Sequence, residues 1–198
     1  MKKTIVKTVM AASMLFSMVL GQGEGTVAVA ATSATTKAPV MTDNLFKYGL
    51  KKDVELPVTV TAGGLSYTLE KIMIYDIKSA TAQELIKKYG YNNYGKYFVW
   101  TKITIENKGK TVIEESAKDP NPKWSIGVGD GGVLLQDMPL VNVRKKNSKE
   151  ALWDYTLKPG EKLTTYQGFL NTGSFNHIVI WLDVKGSSAE KYIVNRKE

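Results

Sequence analysis

From Asn44 onward, apolar and polar residues interleave in short runs broken by turn residues, the pattern that half-buried strands leave in a sequence. Leu65, Tyr67 and Leu69 share one face, with Ser66, Thr68 and Glu70 on the other. The phase slips at Glu70-Lys71 and resumes with Ile72 and Ile74. A one-residue slip predicts a bulge, because without one every later apolar side chain would turn to solvent. Residues 97–106 (YFVWTKITIE) are rich in β-branched and aromatic side chains and predict the clearest strand. Asn107-Lys108-Gly109-Lys110 closes it with a turn whose glycine tolerates positive φ. Residues 123–128 and 133–136 flank Gly129-Asp130-Gly131-Gly132, a hairpin signal. Further strands are expected at 140–143, 152–157, 163–170 and 176–184, with Pro159-Gly160 as a turn and 192–194 as a short final edge strand.

One segment departs from this period. Thr81-Ala82-Gln83-Glu84 has capping-box spacing, Ala82, Leu85, Ile86 and Tyr89 recur at helical spacing, and Gly90 stops the run. A short helix over 81–89 should lay its apolar stripe on the sheet. Tyr89, Tyr91, Tyr94 and Tyr97 crowd its exit. Short turn-bounded strands with one helix predict an all-β fold, an antiparallel sandwich with one short inserted helix; a closed barrel would alternate in the same way.

The N-terminus reads differently. Lys2, Lys3 and Lys7 precede an uncharged run over 8–20, and Ala28-Val29-Ala30 follows. This is the order of an export signal, with an apolar run shorter than the ~20 residues of a spanning helix. The expected signal peptide is 1–30, cut after Ala30, followed by a flexible tether over 31–50 and a domain over 51–198. The chain contains no cysteine, which removes disulfides, thiolate metal sites and lipid attachment after the signal. The C-terminal Asn195-Arg196-Lys197-Glu198 has no apolar tail. The expected location is therefore extracellular, released or loosely held on the wall, with no stable membrane anchor. Losing 1–30 removes three lysines and one glutamate and lowers the net charge from +8 to +6. The remaining basic residues are scattered as pairs, and with export this argues against nucleic acid as a partner.

The runs YFVWTKITIENKGK, LKPGEKLTTYQGFL and HIVIWLDV together resemble a family of extracellular immunoglobulin-like domains from secreted proteins and lipoproteins of Gram-positive bacteria. That family is grouped with the mycobacterial immunoprotective antigen fold and is largely of unknown function. Its pattern is a long strand ending in Asn-x-Gly, then a Pro-Gly-Glu turn before a strand ending in an aromatic–aliphatic pair. Here these are Asn107-Lys108-Gly109, Pro159-Gly160-Glu161 and Phe169-Leu170, and the resemblance spans roughly 56–184. It implies an immunoglobulin-like sandwich and an extracellular location, and carries no catalytic set.

Candidate chemistry is sparse. His177 is the single histidine, which rules out paired imidazole ligands, and no Gly-x-Ser-x-Gly elbow accompanies it. Asp119, Asp130 and Asp137 surround the Trp124 hairpin, but the loop supplies too few oxygens for a calcium cage. Glu114 and Glu115 are sequence neighbours and should point oppositely on a strand, unlike a glycosidase pair. No metal and no cofactor are expected. Among the tryptophans, Trp100 and Trp181 are expected in the core, while Trp124 and Trp153 suit either core or surface. The expected ligand-binding residues are Tyr91 and Tyr94 on the loop after the helix, with Trp153 and Tyr155 beside Arg144 and Lys145. The function expected from these features is a secreted, noncatalytic module binding an extracellular protein or cell-envelope polymer. A secreted inhibitor of a hydrolase and a carboxylate-dependent hydrolase are the alternatives.

Overall fold

The computed structural model describes residues 41–116, 119, 121–129, 132–136 and 144–195, all within the compact unit Pro39–Glu198. The expected signal peptide, the start of the tether, the strand at 140–143 and the acids Asp130 and Asp137 lie outside the described residues. The described elements are strands β1 (Val58–Ala62) and β2 (Leu65–Asp76), helix α1 (Ala80–Tyr89), and strands β3 (Tyr97–Asn107), β4 (Ile113–Glu115) and β5 (Trp124–Gly129). Strands β6 (Gly132–Val133), β7 (Leu135–Gln136), β8 (Tyr155–Leu157), β9 (Lys162–Asn171), β10 (Ile178–Val184) and β11 (Ser187–Val194) follow.

Among the described residues every ladder is antiparallel. One sheet runs β1-β2-β3-β9-β7, a second β11-β10-β5-β6, and β4 pairs with β8 in a short ribbon. Taken in chain order, β2, β3, β5, β6, β7, β9, β10 and β11 occupy the places A, B, C, C′, D, E, F and G of an immunoglobulin-like sandwich. To this plan the chain adds β1 outside β2, the β4–β8 ribbon and α1.

Alternation assigns the faces. Val58, Val60 and Ala62 of β1 are buried, and β2 supplies Leu65, Tyr67 and Leu69, then Ile72 and Ile74 after a register break between Leu69 and Lys71. The break is the bulge expected from the slip at Glu70-Lys71. Val99, Ile103 and Ile105 of β3 share one interior with Trp124, Ile126 and Val128 of β5 and with Ile178, Ile180, Leu182 and Val184 of β10. Full burial of each such side chain is worth about 1.5–3 kcal/mol, which a domain without disulfides depends on.

The opposite face of the first sheet carries a second, smaller core. Phe98 and Trp100 point outward from β3 and are covered by Ala82, Leu85 and Ile86 of α1, by Met41 and by Ala151. The helix is capped two residues earlier than the sequence pattern suggests. Ser79 caps it, its hydroxyl accepting from the Ala82 N–H, and the Thr81–Glu84 box is not the cap. Gly90 ends it in the left-handed conformation, as expected.

Five features differ from the sequence pattern. Residues 41–50 are packed: Leu45 and Leu50 join the main core, and the side chain of Asn44 donates to Ile74 O and accepts from Ile74 N. That amide takes the place of a neighbouring strand at Ile74, beyond the point where β1 begins opposite Leu69. Strand β1 was missing from the expected set, and β11 is eight residues long where three were expected. Leu152 and Trp153 lie in a bend before β8, and Leu152 N donates to Tyr166 O. Trp181 faces away from the shared interior, because Ile180 and Leu182 on either side of it set the inward phase of β10.

The Asn-x-Gly motif has a structural role. The Asn107 side chain is buried, its Nδ2 donating to Thr111 O and Leu157 O at 2.8 Å each and its Oδ1 accepting from Gly109 N at 2.9 Å. One amide thus joins the end of β3, the approach to β4 and the end of β8. Asn107→Ala strands these partners, each at a cost of about 1–3 kcal/mol, and should lower stability by about 2–4 kcal/mol. Urea unfolding measures this, and a midpoint at the native value would show that the clamp contributes nothing.

Candidate functional site

The β4–β8 ribbon and the loop that returns to it form a polar recess of about 210 Å³ lined by Glu114, Glu115, Ser116, Asp119, Lys146 and Asp154. Local hydrogen bonds shape both walls. On one side, Asp119 accepts from Ser116 N through its carboxylate, while Asp119 N donates to Ser116 O. On the other, Asn147 adopts positive φ, its N–H donates to Asp154 O, and its side chain bonds both the N–H and the carbonyl of Thr156. Asparagine tolerates that backbone region, and its amide here replaces a strand partner for β8.

Glu115 forms the floor, with Tyr155 beneath it. Tyr155 is fully buried, and its hydroxyl donates to Glu115 Oε2 at 3.0 Å. Glu115 Oε1 also accepts from Lys123 N at 3.3 Å. Burial pushes the Glu115 carboxyl above the ordinary carboxylate range, outweighing the opposing pull of Lys123 and of the Tyr155 hydrogen bond. Burial, and then the neighbouring Glu115 charge, push the Tyr155 phenol up as well. The recess therefore holds four carboxyl groups against one lysine. Such a lining can accept hydrogen bonds from, and neutralise, an ammonium or guanidinium group.

The expected ligand-binding residues divide. Trp153, Tyr155, Arg144 and Lys145 all belong to the segment that forms one wall of the recess. Tyr155, however, is beneath the floor and cannot touch a ligand with its ring, a correction to its expected role. Trp153 and Arg144 are half-buried and Lys145 is exposed. Tyr91 is also corrected: only 6% of it is exposed, and its ring packs on Phe98 and Trp100 at 5.5 and 6.0 Å. It lies on the backbone of β9 at Gly168, where a methyl would come within 2.9 Å of Tyr91 Cζ. A glycine inside a strand often marks such an approach, and Gly168 was the signal available in the sequence. Tyr94 is exposed, as expected, at 51%.

Glu114 and Glu115 both reach the recess despite their adjacency, because β4 is only three residues long. His177 is buried, bonded to Asn176 Oδ1 through Nδ1, with its ring 6.2 Å from Tyr192. Among the described residues no group of three or more histidine, aspartate or glutamate side chains is placed to hold a metal ion, and no helix is long and apolar enough to cross a membrane.

The fold and recess define an antiparallel, immunoglobulin-like β-sandwich with an inserted helix. No family model matches the sequence, and no curated protein matches it. Among solved structures, the yjhA protein of Bacillus subtilis is similar with a TM-score of 0.40 at 14% identity, over 63% of this chain and 76% of that one. The ycdA protein of Bacillus subtilis subsp. subtilis str. 168, described as a candidate lipoprotein, gives a TM-score of 0.47 at 11% identity over 71% of this chain. This chain spans 39% of the ycdA chain.

The raised Glu115 pKa has a definite consequence for stability. Unfolding releases the carboxyl to its ordinary value, so between that value and the higher folded one the native state holds more proton. The stability this group contributes is full below the ordinary carboxylate range and is lost as pH rises through the folded value. Glu115→Gln retains an acceptor for Tyr155 without the titration. Its denaturation midpoint should gain on the native protein as pH rises from the ordinary carboxylate range through the higher folded value. A gap that stays constant or shrinks with rising pH would contradict the burial of this carboxyl.

Proposed function

We propose that this protein is an exported, noncatalytic binding module of the cell envelope whose recess receives a cationic group of its ligand. The observation that carries this reading is Glu115, desolvated and fixed by Tyr155 at the floor of an open recess that three further carboxyl groups line. A partner's ammonium or guanidinium would add a charge-assisted contact to a carboxyl that burial has stripped of water. The lysine-rich, then apolar, then Ala-Val-Ala order of the first 30 residues supports export, and the family resemblance supports the same location. The ligand class is an extracellular protein, or an envelope polymer, that presents amines.

Capture from culture medium and wall extracts with the purified protein tests the proposal. The double variant Glu114→Lys, Asp154→Lys places positive charge at the recess and should weaken capture by about tenfold or more, equivalent to about 1.4 kcal/mol. Unchanged capture by that variant, with the fold intact by circular dichroism, would remove the recess from the account. Stoichiometric capture of a single hydrolase with loss of its activity would make the module an inhibitor. Turnover of a wall polymer that disappears in Glu115→Gln would show an enzyme and contradict the noncatalytic reading.

A further inference from the structure

The outer face of the second sheet presents a chemistry unlike that of the recess. Cross-strand pairing puts Ser125 of β5 and Glu190 of β11 opposite Trp181, Gly127 and Tyr192 opposite Val179, and Ser188 opposite Asp183. Directly opposed residues on antiparallel strands share a face, so these side chains lie together.

Trp181 is held flat within this group. A methyl on Gly127 would come within 2.5 Å of Trp181 Cζ3 and 2.7 Å of Cη2, so the six-membered part of the indole rests on bare backbone. At the other end of the ring system, Nε1 donates to the Glu190 carboxylate. The indole is thus fixed from β5 on one side and β11 on the other, and it remains half-buried. Among the described residues no other ring stacks on it. Tyr192, exposed, is its diagonal neighbour, at about 7–8 Å for such pairs.

We propose that this face of β5, β10 and β11 is a platform for an uncharged, hydroxyl-rich glycan chain, with one sugar ring stacked on Trp181 and the next reaching Tyr192. A pyranose offers an apolar C–H face to a flat aromatic ring and hydroxyl donors around its edge. Asp183, Glu190, Ser125 and Ser188 surround the indole as acceptors or hydroxyls, and none of the paired positions on this face is lysine or arginine. Lys123, at the end of the face where its carbonyl accepts from Asp183 N, acts on Glu115 of the recess. Charge selects the occupant. Phosphate-bearing wall polymers are repelled by Asp183 and Glu190, and an apolar peptide would desolvate both carboxylates without compensation. A neutral sugar chain satisfies them with donors. Fixing the indole beforehand also lowers the ordering cost of binding.

Isothermal titration with soluble tetramers of β-1,4-linked N-acetylglucosamine and of β-1,4-linked glucose, with a glycerol-phosphate teichoic acid as third probe, tests this. Binding of at least one neutral tetramer, with a change in tryptophan fluorescence, is expected. Trp181→Ala should weaken it by about tenfold or more and Tyr192→Ala by several-fold. Trp181→Tyr, which keeps an aromatic ring, should retain part of the affinity and serves if Trp181→Ala fails to fold. Absence of binding to both tetramers would overturn the proposal. So would binding of the teichoic acid alone, or glycan binding that is unchanged in folded Trp181→Ala and Tyr192→Ala.

Discussion

The Trp124 indole is the point where the layers of this protein meet. It projects from β5 of the second sheet and packs against Tyr67 of the first sheet at 5.0 Å and Tyr155 of the ribbon at 5.5 Å. Its Nε1 donates to Gln167 Oε1 on β9 at 3.1 Å. One side chain therefore joins both sheets and the ribbon that bears the recess. Immunoglobulin domains place a tryptophan on the corresponding strand, packed against a disulfide that spans the sheets. This chain has no cysteine, so packing and a buried hydrogen bond carry what the covalent bridge carries elsewhere. The recess depends on this contact too, because Tyr155 stacks on Trp124 with its ring and fixes Glu115 with its hydroxyl.

Outside the shared interior, two glycines decide where large aromatic rings go. Gly168 lets Tyr91 lie on β9 beneath α1, and Gly127 lets Trp181 lie on β5. The outcomes differ because their surroundings differ. Tyr91 joins a cluster with Phe98, Trp100 and Leu170 that the helix covers, whereas Trp181 belongs to neither buried cluster and stays half-buried. The same backbone device thus builds a small core on one sheet and leaves a presented ring on the other.

Much of the fold was legible because strand alternation is local. The bulge at Glu70, the long strand at Tyr97–Asn107, the helix before Gly90 and the all-β class each follow from neighbours in sequence. What could not be read depended on distant partners. Ser79 and Thr81 are both acceptable caps, and the turn from the end of β2, where Ser79 N and Oγ donate to Asp76 O, places Ser79 at the helix start. Tyr91 looked like an exposed loop residue because its seat, Gly168, is far along the chain. The spread of the tryptophans, one per strand, suggests a core place for Trp181, although it shares a phase with Asp183, and that charge is the better guide. The residues expected to bind a ligand over 144–155 fall in the segment that forms one wall of the recess, and the acidic ribbon opposite it was not among them. The β4–β8 pairing that brings Glu115 to Tyr155 joins residues 40 positions apart.

Two sheets close over one interior through Trp124. Native-state hydrogen exchange of the central strands, β3 in one sheet and β10 in the other, measures it most directly. If the interior is shared, amides of both strands exchange through the same global opening, and Trp124→Ala lowers their protection by equal amounts. Exchange of β10 through a smaller opening that leaves β3 protected, or a Trp124→Ala effect confined to one sheet, would contradict it.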